Sequence, residues 1–158
     1  MSHAAPLSMS DRTATESPWL PLALGFGGLV PFWALALARV TGLPQAVPPA
    51  DIEVALAAYA ATILSFLGGI RWGTALREAD RQRVTGDYIF GVLPQFLGWA
   101  ALALPDPWRP VVLGLMILVL GPIDRNLVAR GMAPVWFGRL RLGLSLGAGA
   151  ALFLAALA

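Results

Sequence analysis

Apolar residues in this chain come in long blocks, each interrupted by a short cluster of proline, glycine or charge. Five blocks approach the roughly 20 residues that a helix needs to cross a bilayer, at about 19–38, 52–70, 88–104, 108–128 and 142–158. The third is short and contains Pro94 and Gln95; the fourth is apolar from Pro110 to Ile123 and continues as helix through Asp124. Between the blocks lie a Pro-rich loop at 44–49, a charged loop at 77–87, the turn Pro105-Asp106-Pro107, and a 131–141 connection containing Gly131 and Pro134. Proline and glycine punctuate the boundaries. Residues 1–18 are small and polar, which predicts a disordered tail. The first block is longer than a signal-peptide core and further blocks follow it, so it reads as a retained span. The pattern predicts an all-α integral membrane protein whose domain, 19–158, is a bundle of five transmembrane helices.

Composition strengthens that reading. Charged residues make up 13% of the chain, about half the share expected in a soluble domain. Hydrophobic residues make up 58%, and mean hydropathy is +0.71. A small water-soluble globule cannot bury that much apolar surface. There is no cysteine, and the single histidine is His3 in the tail. Thiolate and imidazole chemistry within the membrane is thereby excluded, and no cofactor or metal is expected.

Charge then gives an orientation. All basic residues are arginine. In a five-span chain Arg12, Arg71, Arg77, Arg81, Arg83, Arg125, Arg130, Arg139 and Arg141 fall on one side, and Arg39 and Arg109 on the other. The positive-inside rule places the N-terminus in the cytoplasm and the C-terminus in the periplasm. These arginines flank apolar segments and form no basic stripe, so the expected partners are the bilayer and another membrane protein or a second copy, not nucleic acid. Trp19, Trp72, Tyr88, Trp108 and Trp136 fall near span ends, where amphipathic rings prefer to sit; Trp33 and Trp99 lie deeper and read as packing residues.

A few residues within the spans carry polarity or special backbone properties. Ser65, Gly69, Trp72 and Gly73 can share one helix face, and Gly69-xxx-Gly73 is a spacing that lets another helix approach closely. Gly143-xxx-Gly147 and the Gly25, Gly27, Gly28 cluster suggest further packing surfaces. Asp124 and Arg125 sit at the end of the apolar stretch of the fourth span, where an ion is costly unless paired. Arg71 lies at a matching depth, so an Asp124–Arg71 pair is expected, with Arg139 or Arg141 as competing partners. Pro31, Pro94 and Pro122 interrupt spans and free backbone carbonyls. The Gln95 amide beside Pro94 should find an interhelical partner.

Gly143-Leu144-Ser145-Leu146-Gly147 fits a nucleophile-elbow pattern, but that chemistry needs a strand-to-helix turn and a neighbouring base, and this segment reads as mid-helix. Gly25-Phe26-Gly27-Gly28-Leu29-Val30 lacks both the last glycine and the preceding strand of a dinucleotide fingerprint.

The run Ile63-Leu64-Ser65-Phe66-Leu67-Gly68-Gly69-Ile70-Arg71-Trp72-Gly73 resembles the hallmark of a bacterial family known only as domain of unknown function 3429, related to mitochondrial transmembrane protein 69. Leu24 to Phe32 and Gly91-Val92-Leu93-Pro94 resemble its first-span and third-span signatures. The resemblance implies a small polytopic inner-membrane protein and carries over no catalytic residue. Ser65, Gly68, Gly69, Arg71, Trp72, Pro94, Gln95, Asp124 and Arg125 are therefore candidates on depth and polarity alone. The expected role is a non-enzymatic subunit or assembly factor of a membrane complex. The alternative is a small solute, ion or proton transporter using Arg71, Gln95 and Asp124.

Overall fold

The computed structural model describes residues 18–78 and 80–158; residues 1–17, most of the expected tail, lie outside them. The described residues form six α-helices and no strand: α1 Trp19–Gly27, α2 Leu29–Thr41, α3 Pro49–Ala75, α4 Arg81–Ala101, α5 Trp108–Ala129 and α6 Val135–Ala156. Helices α1 and α2 form one rod of 23 residues, Trp19–Thr41, interrupted at Gly28. Pro31 has no N–H for the Gly27 carbonyl, and the Tyr59 hydroxyl of α3 donates to the Gly28 carbonyl at 2.9 Å. The rod Trp19–Thr41 and helices α3, α5 and α6 are each long and apolar enough to cross a membrane.

Helix α3 exceeds its apolar block at both ends, and α4 and α6 begin well before theirs. Helix α3 begins at Pro49, where proline suits a first turn. Helix α4 begins at Arg81, so most of the expected 77–87 loop is helical. Helix α6 begins at Val135, so Arg139 and Arg141 belong to a helix and not to a connection. A helix starts where its backbone can be capped, and arginine and glutamine are good helix formers whether or not lipid surrounds them.

Helix α5 closes on a Schellman motif: Met132 N–H bonds Leu127 O at 2.8 Å and Gly131 N–H bonds Val128 O at 3.0 Å. Gly131 sits at φ 73°, a left-handed conformation that glycine adopts without a Cβ penalty. This tight ending returns the chain directly into α6.

The rods close into a ring in the order α2, α3, α4, α5, α6 and back to α2, with α3 also touching α5 across the middle. Phe32, Leu56, Leu64, Leu113, Ile117 and Leu152 fill the centre. Small residues set the closest approaches. A Cβ on Gly68 would lie 1.9 Å from Gly91 O, so the α3 and α4 backbones touch there. A Cβ on Gly121 would lie 2.7 Å from Ser145 Oγ, and one on Gly149 would lie 2.6 Å from Leu118 Cγ, joining α5 to α6. In lipid, where apolar side chains gain little by meeting each other, such close backbone packing is a principal source of helix association.

Not every small residue of the spans packs inside the bundle, and the two deeper tryptophans are exposed. Nothing lies within 4 Å of a Cβ built on Gly69, Gly73 or Gly143. The internal α3 contact is made by Gly68, and Gly69-xxx-Gly73 faces outward. Gly147 does pack, against Leu29, whereas Gly27 is open. Trp33 and Trp99 are exposed rather than packed, Trp99 at 72%. Trp99 lies near the end of α4, where an indole ring can meet a membrane interface.

A buried arginine–aspartate network as candidate functional site

Each helix buries one stripe, and at one end of the bundle every stripe but that of the α1–α2 rod carries a charge. On α3 the buried positions Leu56, Ala60, Leu64, Gly68, Arg71 and Ala75 recur at helical spacing. On α4 Val84, Asp87, Gly91, Pro94, Gly98 and Ala101 do the same. Asp124 follows Ile117 and Gly121 on α5, and Arg141 precedes Ser145 and Ala148 on α6. Helical repetition therefore aims Arg71, Asp87, Asp124 and Arg141 at one another.

The resulting network is continuous. Arg71 Nε donates to Asp124 Oδ1 at 3.2 Å, Nη1 to Asp87 Oδ1 at 2.7 Å, and Nη2 to Ile123 O at 2.9 Å. Arg141 Nε donates to Asp124 Oδ2 at 2.7 Å, and Arg130 Nη1 to Asp87 Oδ2 at 2.6 Å. The side chains of Arg71, Asp87, Asp124 and Arg141 are at most 5% exposed. Two atoms are left over: Arg141 Nη2 and Ser145 Oγ are buried without a hydrogen-bond partner.

The opposite end has a second, shallower cluster. Arg109 Nη1 meets Glu53 Oε1 at 2.6 Å, and Arg39 Nη1 lies 3.8 Å from Glu53 Oε2. Arg39 also pairs with Asp106 and donates from Nε to the Ala155 carbonyl at 3.0 Å. Arg109 Nε caps the Leu104 carbonyl at 2.9 Å. The two clusters tie together opposite ends of the bundle, with an apolar core between them.

The candidate residues fall into separate places. Arg71 and Asp124 meet, and Arg141, one of the two competitors, shares the same carboxylate. Arg139 and Arg125 are exposed on the outside. Ser65 Oγ donates to Gln95 Oε1 at 3.2 Å across α3 and α4, so the Gln95 amide has an interhelical partner outside the ionic network. Trp72 stacks edge-on with Tyr88 at 5.0 Å between ring centroids. Pro94 is buried in α4, and Gly68 is the contact with Gly91. Ser145 is buried mid-helix in α6 against Gly121.

Sequence reasoning missed Asp87 and Arg130. The signal for Asp87 was present: Asp87, Gly91, Pro94 and Gly98 stand at spacings of four, three and four, and extending that small-residue stripe backwards puts Asp87 on the inward face. Assigning 77–87 to a loop concealed it.

Chemically, the network suits holding helices and binding anions better than binding cations. All four oxygens of Asp87 and Asp124 accept from guanidinium groups, so a metal ion would have to displace arginine from each. No group of three or more metal-ligating side chains occurs among the described residues.

Comparison with known proteins places the chain in a family. The family described as "Protein of unknown function (DUF3429)" matches residues 17–157. The chain belongs to it. Transmembrane protein 69 of Xenopus tropicalis is 35% identical over 137 residues, covering 82% of this chain and 51% of that protein. Transmembrane protein 69 of Mus musculus is 31% identical over 130 residues, covering 80% of this chain and 51% of that protein. The chain thus spans about half the length of these relatives. No solved structure matches it. A DUF3429 membrane protein with apolar spanning helices is what sequence, fold and relatives jointly establish.

Proposed function

We propose that this DUF3429 protein is a non-enzymatic component of the bacterial inner membrane that docks another membrane helix on the outward face of α3. The carrying observation is the small-residue stripe left unused inside the fold: Ala58, Thr62, Gly69 and Gly73 lie on one exposed face, and Gly69 and Gly73 have open space over them. In a bilayer such a face admits close backbone approach by a partner. The lightly covered first rod, with 11% of its apolar window buried against 39–44% in the other three apolar spans, offers further surface to a partner or a second copy.

Five spans with a cytoplasmic N-terminus fit this reading. Helix α4 is too polar to qualify on composition, yet its 21 residues reach about 31 Å, and it runs from the Asp87 end to the end that holds Arg109. The arginine distribution supplies the orientation. A transport path would need Arg71, Gln95 and Asp124 to line one route. Gln95 bonds Ser65 on the exposed side while the other two are locked in ion pairs, which is why docking is preferred.

The test is mild-detergent purification at native expression level, with mass spectrometry and native sizing, on the wild type and on Gly69→Leu/Gly73→Leu. A stoichiometric partner or homo-oligomer that the double variant loses, with its own unfolding unchanged, supports docking. A wild-type monomer with no partner, together with solute or proton flux in liposomes, would replace it with the transport reading.

A further inference from the structure

Arg141 faces two ways. Its Nε is committed to Asp124, which it shares with Arg71, while its Nη2 is buried and unpartnered. The same side chain lines a groove between α1, α3 and α6. The outer part of that groove, about 420 Å³, is walled by Leu20, Leu24, Phe66, Ile70, Trp136 and Leu144. A deeper chamber of about 130 Å³ continues past Gly28 to Phe32, Ile117 and Ala148. Both parts share Leu24, Gly25, Phe66, Leu67, Arg141 and Leu144, so they form one channel of apolar walls with a single cation along it.

We propose that this groove binds an anionic lipid, its acidic headgroup on Arg141 Nη2 and an acyl chain along the apolar walls. Charge complementarity carries the choice of occupant. A buried guanidinium nitrogen without an acceptor costs free energy. The Arg141 carboxylate partner is divided between two guanidinium groups, so an acceptor with negative charge fits the vacancy better than a neutral one. Guanidinium geometry matches both carboxylate and phosphate oxygens. Position agrees: Arg141 is six residues into α6, about 9 Å by helix rise, a depth that an acidic group linked to an acyl chain reaches from the nearby leaflet surface. The walls supply no other charged side chain, so an acyl chain is the part of a ligand that they suit, and the groove size lies within the usual range for small-molecule sites. This site uses residues distinct from the docking stripe on α3: the groove takes Phe66, Leu67 and Ile70 of that helix, whereas the stripe takes Ala58, Thr62, Gly69 and Gly73.

The experiment is native mass spectrometry and lipid-retention analysis of the protein taken from nanodiscs of phosphatidylcholine containing either phosphatidylglycerol or oleate. Wild type, Arg141→Gln, Leu24→Trp and Arg139→Gln are compared. Leu24→Trp fills the groove from an exposed position without touching the ionic network, so it remains informative if Arg141→Gln fails to fold. The expected result is retention of anionic lipid over phosphatidylcholine by the wild type and Arg139→Gln, reduced at least tenfold in Leu24→Trp and in folded Arg141→Gln. Preference for phosphatidylglycerol identifies a phosphate headgroup, and preference for oleate a carboxylate. Equal retention of neutral and anionic lipid by the wild type, or undiminished anionic retention in Leu24→Trp, overturns the proposal.

Discussion

Replacing Asp124 with asparagine removes one negative charge while leaving the shape of the side chain almost unchanged, so the effect isolates electrostatics. Asp124 accepts from Arg71 Nε at 3.2 Å and Arg141 Nε at 2.7 Å. Asparagine keeps one acceptor and turns the other oxygen into a donor facing a donor. One charge-assisted bond, worth about 1.5–3 kcal/mol, is lost and the other is weakened by about 1 kcal/mol. The sum, about 2.5–4 kcal/mol, overlaps the range for removing one partner of a buried ion pair. A loss of about 3 kcal/mol lowers the folded-to-unfolded ratio by roughly two orders of magnitude. Tryptophan fluorescence during titration of mixed micelles with a denaturing detergent measures it directly. A second measurement checks the mechanism: Arg141→Gln should cost less in the Asp124→Asn background than alone, with a coupling of at least about 1 kcal/mol. A shift below about 1 kcal/mol for Asp124→Asn, or additive effects in the cycle, would show that the network does not hold the helices together.

Gly68→Ala should cost about 1–3 kcal/mol or more, because its Cβ meets the Gly91 backbone. Gly69→Ala, with open space above it, should be neutral or stabilise by up to about 1 kcal/mol in the same unfolding assay; equal behaviour of the two would contradict the α3–α4 contact. At the shallower cluster, Glu53→Gln should destabilise by about 1–2 kcal/mol, less than Asp124→Asn, since the Arg109 side chain is 19% exposed and a more exposed pair is worth less. A reporter fused after Ala158 should appear on the periplasmic side, and a cytoplasmic signal would refute the five-span orientation.

The helical, membrane-embedded character of the chain was legible because a bilayer imposes a single length requirement, and the apolar blocks display it openly. Helix ends were less legible. Block boundaries mark where apolarity stops, whereas Arg81 to Asp87 and Val135 to Arg141 continue as helix through polar sequence. This difference matters most at Asp87: assigned to a loop it reads as a surface charge, and placed on a helical stripe it faces the interior. The Arg71–Asp124 contact could be anticipated because both residues end long apolar runs at similar depth. Which glycines pack could not be read from spacing, since Gly68 and Gly69 are neighbours in sequence and only Gly68 meets another helix.

The two ionic clusters follow from the same physics that makes the glycine contacts necessary. Lipid competes for apolar side chains on nearly equal terms, so a ring of five rods gains little from its hydrophobic core alone. Small-residue contacts at Gly68, Gly121 and Gly149 supply close packing between α3 and α4 and between α5 and α6. Ion pairs tie further elements together at both ends of the bundle. There the carboxylates each join two arginines from different elements: Asp87 links α4 to α3 and α5, Asp124 links α5 to α3 and α6, and Glu53 links α3 to α2 and α5. A shared carboxylate fixes three elements, whereas a simple pair fixes two. The sharing also leaves guanidinium groups in excess of carboxylates at the Asp124 end, with Arg141 holding the nitrogen that no protein atom satisfies. The arrangement that clamps the bundle is thus the one that leaves a buried cation facing the lipid-side groove.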